Sequence, residues 1–564
     1  MMSLVLIALG GMVALGMTGC QVPAPESDAH WIEAADFGLH ADGVTNDGPV
    51  LRRMLEAARA VDGPVKLRFP PAARIFVATG EEQYALRLDR MNDVTLDGQG
   101  STFLLDASDL RFLHATACRN LRVQRLQVDV FPPPVVETKV LEVPDAQTLR
   151  VWLDDPSEAE RVGGASGAED EQSFFGMLWW TGRYATETAH VSPQSFRPVP
   201  DADRPGAVLD VRLSRPIPAD TLARATASTM RLSLPVPGVA HRYGGSSMIR
   251  IDRCTDVQLE AVEVWSAPWF AFEIFRNDGD LIFQRVHVRP PPDSGRLTSS
   301  WRDAFHVKGN RGRLLFEDCM LQGMHDDSFN VSTHTWIVTG LLAEDRVRIA
   351  QDFPIQFIPP QVGGKAHFVC PVAGQILGTA RIKRVEGLPF DDTVYLPGDH
   401  QAPELILHLE QGLDAVVLGA QVWDLSVANP DTTIRRCYLG NSARFRSPVT
   451  VEDCEVDALL FFASEDVEGP LPAGSIVRNS TLRQGRGNPE YAVVFNGWTD
   501  RPAGRSQTDL PPGGVFPLHT IRLENNDIFG GILIDKVRDA TLVGNRLHEG
   551  PAAVRIVNPP PDGD

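Results

Sequence analysis

The chain has 564 residues, 43% hydrophobic and 22% charged, with 48 glycines, 43 prolines and a formal net charge of −20. That length exceeds one ordinary domain but suits one elongated repeat body, with enough apolar material for a core. The charge argues against nucleic acid and anionic membrane as partners, since both demand a basic footprint, and disfavours sulfated or uronate polymers unless a local basic groove overrides the average.

Leu4 to Met17 form an apolar run too short to span a bilayer comfortably, and they lead into Met17-Thr18-Gly19-Cys20. This tetrapeptide resembles a bacterial lipobox. The resemblance implies a lipoprotein signal peptide at 1–20, a lipid on Cys20, and export to the cell envelope, at the outer membrane, or secretion. An ordinary cleaved signal is the alternative. The Pro/Glu/Ser/Asp stretch after Cys20 reads as a short tether. Cys118, Cys254, Cys319, Cys370, Cys437 and Cys454 show no CxxC pair and no zinc-like spacing, so neither metal nor cofactor is expected. Several sit at matching places in a repeat, which suggests small residues in a stacked core rather than a disulfide framework.

Asp36-Phe37-Gly38 and Asp42-Gly43-Val44-Thr45-Asn46-Asp47 precede an apolar-periodic stretch through Leu51, Met54, Leu55 and Ala58. Thr45, Asn46 and Asp47 can each cap a helix start. A short helix here resembles the N-terminal cap of pectate-lyase-like β-helices, which closes the apolar end of the first rung.

A repeat follows, with an apolar residue at both ends and a polar pair after the first. Val123 to Val128 is one copy; others begin at Leu259, Phe283, Phe316, Ile434, Val451, Val477, Leu523 and Leu542. Intervals cluster in the low twenties, with 17 from Ile434 to Val451, 19 from Leu523 to Leu542, and 46 from Val477 to Leu523, read as two turns. The period implies an all-β right-handed parallel β-helix, a solenoid whose rungs stack about 4.8 Å apart. A β-sandwich would explain the strands but not the period. Cys319, Cys437, Cys454, Asn526 and Asn545 share the fourth place and are expected to stack at one corner.

Two stretches break the repeat, near 131–242 and 336–424, and read as inserted β-barrel-like subdomains. The first carries a Gly/Ala-rich loop from Gly163 to Glu171. The expected layout is 21–130 for the cap and first rungs, 243–335 for central rungs with the active site, and 425–564 for the C-terminal rungs.

The interval from Phe283 to Phe316 is 33 residues, against 24 for the rung before, so a loop bulges out ahead of Asp303. Asp303-Ala304-Phe305-His306-Val307 then lies over Asp327-Ser328-Phe329-Asn330-Val331, one rung of 24 residues on. Phe305 over Phe329 and Val307 over Val331 are expected as inward stacks, which brings Asp303 and Asp327 together with Asp326 adjoining. Three gathered carboxylates repel one another, so at least one is expected to hold a proton near neutrality. That suits glycoside hydrolysis, which needs a protonated acid and an ionised base. Stacked aspartates also occur in turns, in calcium sites and as rung caps, and spacing alone does not choose among these.

The pattern Gly295-Arg296-x-x-Ser299, then Asp303-Ala304-x-His306, then Asp326-Asp327-x-x-Asn330-Val331 resembles glycoside hydrolase family 110. That resemblance implies an inverting, exo-acting α-galactosidase on a β-helix with inserted barrels. Its substrate would be a glycan with a terminal galactoside, and the membrane would be met only through the lipid anchor. It also implies Asp326 as general acid, with Asp303 and Asp327 holding the water; Asp326 is the group expected to keep the proton. Where that family reads Asn-Val-His-Gly, this chain reads Asn330-Val331-Ser332-Thr333-His334.

Candidate substrate contacts are Arg296, Trp301, Arg302, His306, Asn330, His334 and Trp336, all flanking the aspartates. An aromatic face can stack on a sugar and an arginine can bind hydroxyls, but core packing and solvated ion pairs are the competing uses. Trp265 and Trp269 are weaker aromatic candidates, and Arg444 and Arg446 are candidates to close the cleft. Alternative functions are a polygalacturonase-like hydrolase, a polysaccharide lyase, or a non-catalytic glycan-binding surface β-helix.

Overall fold

A computed structural model describes residues 29–557, except 79, 81–82, 107–109, 164–175, 182–185, 202, 226–229, 237–246, 352–356, 371–375, 389–403, 464–467, 485–489, 497–517 and 549–553. Cys20 and the apolar leader lie outside the described residues, as does the Gly/Ala-rich loop from 164 onward.

The repeat read from sequence becomes one column of parallel pairings. Ile32, Leu67, Leu96, Val123, Leu259, Phe283, Phe316, Ile434, Val451, Val477, Leu523 and Leu542 occupy the same register on successive rungs. All but Ile32 and Leu542, on the two terminal rungs, are less than 2% exposed. The molecule is a right-handed parallel β-helix. Val477 pairs directly with Leu523, so the 46-residue interval is one rung carrying a long excursion, not two rungs. Counting residues cannot separate a loop from an extra turn.

The polar pair inside each repeat makes the corner. Arg125, Ala261, Arg285, Asp318, Arg436, Asp453, Asn479 and Asn525 all have φ between 51° and 55°, a left-handed bend that turns the chain from one sheet to the next. The residue after each bend points inward, and from Cys319 on these residues form a ladder. Cys319 N donates to Cys437 Sγ, Cys437 N to Cys454 Sγ, Cys454 N to Ser480 Oγ, Ser480 N to Asn526 Oδ1 and Asn526 N to Asn545 Oδ1. These bonds satisfy backbone donors that the bend removes from the sheet. All six cysteines from Cys118 on are free thiols.

Helix Gly48–Arg59 buries Leu51, Met54, Leu55 and Ala58 over the first rung. Asp47, fully buried, accepts from His40 N and Ala41 N and so fixes the turn before the helix.

Between Val128 and Val264, which pair, the chain leaves the solenoid and returns in register. Strands from Val135 to Pro235 there form a seven-stranded antiparallel sheet with its own apolar core. Strands from Trp336 to Asp424 form a closed six-stranded barrel around a separate core. Among the described residues only this second insert closes into a barrel. No helix among them is long and apolar enough to cross a membrane.

Candidate active site

Strand Phe305–Lys308 pairs in parallel with strand Asp327–His334, Phe305 opposite Phe329 and Val307 opposite Val331. The two rings stack at 5.3 Å and 12° inside the solenoid. This inward stack aligns the two rungs, and Asp303 and Asp327 stand two residues ahead of it on each. Asp327 N donates to Asp303 Oδ1 at 3.4 Å, and Ala304 N to the Asp327 carbonyl at 2.9 Å. Asp326 completes the group: one carboxylate oxygen from each of the three lies within 4.8 Å of the others.

The three carboxyls stand in different surroundings. Asp303 is buried, and burial followed by the charges of Asp326 and Asp327 pushes its carboxyl well above the usual range. Asp326 is the accessible member, its side chain 17% exposed and paired with Arg302 Nη1 at 3.0 Å. Asp327 is paired with Arg444 Nε at 3.1 Å and accepts a short hydrogen bond from Ser442 Oγ, both from the following rung. Burial and the neighbouring charges thus raise the proton affinity of Asp303, while Asp326 and Asp327 each face an arginine. The residue type is the same at all three positions, and only burial and partners separate them.

His306 Nδ1 lies 2.7 Å from Asp303 Oδ2, and the imidazole stacks on Phe270 at 4.2 Å. Burial, aided by the charge of Lys308, lowers its pKa to about 3, so the ring is neutral near pH 7. Lys308, itself buried, bonds Ser332 and Glu468; Glu468 also binds Arg446 Nη1 at 2.5 Å, and Arg446 reaches Asn330 Oδ1 at 3.5 Å. Asn330 thus sits beside His306 and above this buried ionic cluster. Ser442, Lys308 and Glu468 carried no sequence signal, because their partners lie up to 160 residues away.

Other candidates are placed elsewhere. Trp301 is fully buried against Trp269 and offers no face to a sugar; its role is to hold Arg302, whose guanidinium lies 4.9 Å from its ring centre. Trp336 is buried in the barrel core and donates to the Ile358 carbonyl. Trp265 is tied to Glu263. Arg296 is committed to Asp129 at 3.0 Å rather than to the triad. His334 is buried at the end of its strand, its backbone opposite Glu468.

The first insert braces the loop ahead of Asp303. Glu137 accepts from Leu297 N at 2.6 Å and Thr298 N at 2.8 Å, and Ser233 Oγ accepts from Thr298 Oγ1. His190 Nε2 lies 2.6 Å from the His325 carbonyl, next to Asp326. Asn441 Nδ2 donates to the carbonyls of Met324 and Asp326. Carboxylates this close can bind a divalent cation. Here Arg302 and Arg444 supply the positive charge that such an ion would bring. The arrangement, a buried carboxyl of raised proton affinity beside two that face arginines, is the equipment of acid–base hydrolysis.

No protein-family model matches the chain. It is 23% identical over 434 residues to α-1,3-galactosidase B of Bacteroides thetaiotaomicron, covering 73% of this chain and 66% of that one. Over 378 residues it is 21% identical to α-1,3-galactosidase A of Streptomyces avermitilis, covering 62% and 60%. Over 481 residues it is 24% identical to α-1,3-galactosidase A of Akkermansia muciniphila, covering 74% and 71%. The chain thus spans just under two thirds of the length of the first two. Among solved structures it is similar to the mannuronan C-5 epimerase AlgE6 A-module of Azotobacter vinelandii, with a TM-score of 0.30 at 10% identity over 94% of this chain and 100% of that one. An exopolygalacturonase of Thermotoga maritima gives 0.25 at 11% identity over 94% and 92%. The chain is a distant homologue of the α-1,3-galactosidases, which are members of glycoside hydrolase family 110.

Proposed function

We propose that this protein is a glycoside hydrolase that releases a terminal α-linked galactose with inversion, using Asp303, Asp326 and Asp327 and no metal. The observation that carries this reading is the triad itself: a buried Asp303, its carboxyl pushed up by burial and by its neighbours, against Asp326 and Asp327, each ion-paired to an arginine. The galactosidase homologues support the sugar.

Asp326 is the carboxyl a substrate reaches first, being the accessible one. When the sugar covers it, water is stripped away and its proton affinity rises, so the proton held by Asp303 passes to Asp326 within the cluster. Asp326 then protonates the glycosidic oxygen as the anomeric C–O bond breaks. Asp303 and Asp327, now both ionised, hold the water that attacks the anomeric carbon, and the pair takes its proton. Two-carboxylate inverting enzymes space their groups roughly 6.5–9.5 Å apart to admit that water. The triad is tighter, with oxygens within 4.8 Å, so the water belongs in the notch between two aspartates rather than between acid and base. Inversion rests on the family resemblance, and the first-formed anomer decides it.

The export signal belongs to the same reading: Cys20 is proposed as the lipid attachment that keeps the enzyme at the envelope. Replacing Cys20 by serine is expected to move the protein from the membrane fraction to the soluble one; unchanged membrane association would remove the anchor from the proposal.

The test is a panel of α-1,3-, α-1,4- and α-1,6-galactosides, galacturonans and aryl α-galactosides, each with and without EDTA. Chelator-insensitive release of galactose is expected. Activity confined to galacturonans, or abolished by EDTA, would contradict the reading. Asp326→Asn should lose about 10³-fold on oligosaccharides and much less on an aryl galactoside whose leaving group needs no proton. If Asp303→Asn shows that pattern instead, the two roles are exchanged.

A further inference from the structure

On each rung around the triad, one residue of the active-site sheet lies between two inward core residues and faces out. Arg250 stands between Ile249 and Ile251, Glu273 between Phe272 and Ile274, and His306 between Phe305 and Val307. Asn330 and Arg444 continue the row. Strand pairing sets these side by side in the order Arg250, Glu273, His306, Asn330, Arg444. The row runs beside the triad, since His306 bonds Asp303 and Arg444 bonds Asp327.

Glu273 is the anomaly in it. The residue is 1% exposed, yet among the described residues neither carboxylate oxygen has a hydrogen-bond partner. Its one nearby cation is Arg250, with Nη1 3.6 Å from Oε2, beyond good hydrogen-bonding distance. Other buried carboxylates are engaged, Asp47 by two backbone N–H groups and Asp210 and Asp252 by arginines. A carboxylate left dry and unbonded costs stability and is retained where a ligand supplies the missing donors.

The charge around the row narrows that ligand. Arg302 is matched by Asp326, Arg444 by Asp327, Arg250 by Glu273, and Lys308 and Arg446 by Glu468. Among the described residues, every cation near the triad already faces a carboxylate, so nothing is poised for an acidic sugar. An unbonded carboxylate there accepts hydroxyl hydrogens and repels another carboxylate.

We infer that Glu273 is a specificity-determining residue: it accepts hydroxyl groups of the neutral terminal sugar and excludes its uronate counterpart. This rests on the glycosidase reading above. Arg250 faces the Glu273 carboxylate across 3.6 Å, and the row positions the sugar while the triad cleaves it.

The experiment compares wild type with Glu273→Gln and Glu273→Ala. Calorimetric titration with galactose and with galacturonic acid is run beside kcat/KM on aryl α-galactoside and aryl α-galacturonoside. Wild type is expected to bind and cleave the neutral sugar only. Glu273→Gln should lose at least about tenfold in kcat/KM on the galactoside, the scale of a hydrogen bond to a charged group. Its preference over the galacturonoside should narrow by at least that factor, with the same pH profile. Gln has the size and shape of Glu, so the Gln variant should keep the wild-type circular dichroism spectrum. Wild type that cleaves galactoside while Glu273→Gln stays within twofold on both substrates would overturn the inference and leave the glycosidase reading standing. Wild type that neither binds galactose nor cleaves galactoside would overturn that reading and this inference with it. A loss in both variants that tracks a fall in melting temperature, with the discrimination unchanged, would make Glu273 structural and overturn the inference alone.

Discussion

A carboxyl buried beside two carboxylates stays neutral over a pH range in which the unfolded chain ionises it, and at Asp303 this links catalysis to stability. The unfolded group titrates near 3.8, and the folded one well above. Between those values the folded protein binds the extra proton, so the stabilisation from Asp303 is complete below about pH 3.8 and is lost as pH rises through the folded pKa. Asp303→Asn does not titrate. Its urea midpoint should equal that of wild type near pH 3.8 and exceed it increasingly toward alkaline pH, although its activity falls by about 10³-fold. Equal midpoints across the whole range would mean that Asp303 is ionised in the fold. Sequence carried the meeting of Asp303 with Asp327, because the Phe305/Phe329 and Val307/Val331 stacks fix their register. It carried neither the raised proton affinity of Asp303 nor the burial of Trp301 and Trp336, since both depend on what packs around a residue from distant parts of the chain.

Elements outside the solenoid decide how firmly the triad is held. The bulged loop before Asp303 has no strand partner for Leu297 N and Thr298 N, and Glu137 of the first insert supplies both acceptors. Glu137→Ala leaves two half-buried donors without their acceptor, each costing up to about 1–3 kcal/mol. The loss is expected mainly in kcat, by about 10- to 100-fold, because a shifted loop misplaces Asp303 more than it weakens sugar contact. Circular dichroism of the solenoid should be unchanged. A rise in KM alone would instead assign Glu137 to binding. The inserts were visible as breaks in the period, but the first proved an open seven-stranded sheet, and the excursion between Val477 and Leu523 was hidden inside a double-length interval. Periodicity reports where a chain returns to register and is silent on its path between.

At the scale of the whole molecule, one apolar column runs through the rungs, and each of its residues packs on the rung above and below. Phe316 is in contact with Phe283 at 4.7 Å, Phe305 at 4.9 Å and Phe329 at 4.8 Å, directly behind the triad. Phe316→Ala should destabilise the fold by about 3–5 kcal/mol, read as a lower denaturant midpoint. An equivalent cut at Leu523, several rungs away, should cost stability and spare kcat, because a solenoid transmits strain mainly to nearest neighbours. The column was legible from Val123 on, since a repeat writes the same inward residue again and again, whereas Ile32, Leu67 and Leu96 on the first rungs were not read as copies. The cations that surround the triad are matched by carboxylates, which suits the neutral glycan proposed above.

The most direct test of an aspartate triad that hydrolyses terminal α-galactosides is proton NMR of the first-formed sugar from an α-1,3-linked galactoside in the presence of EDTA. β-Galactose appearing first and then mutarotating is the expected result; α-galactose first, an unsaturated product, or no release of galactose would contradict it.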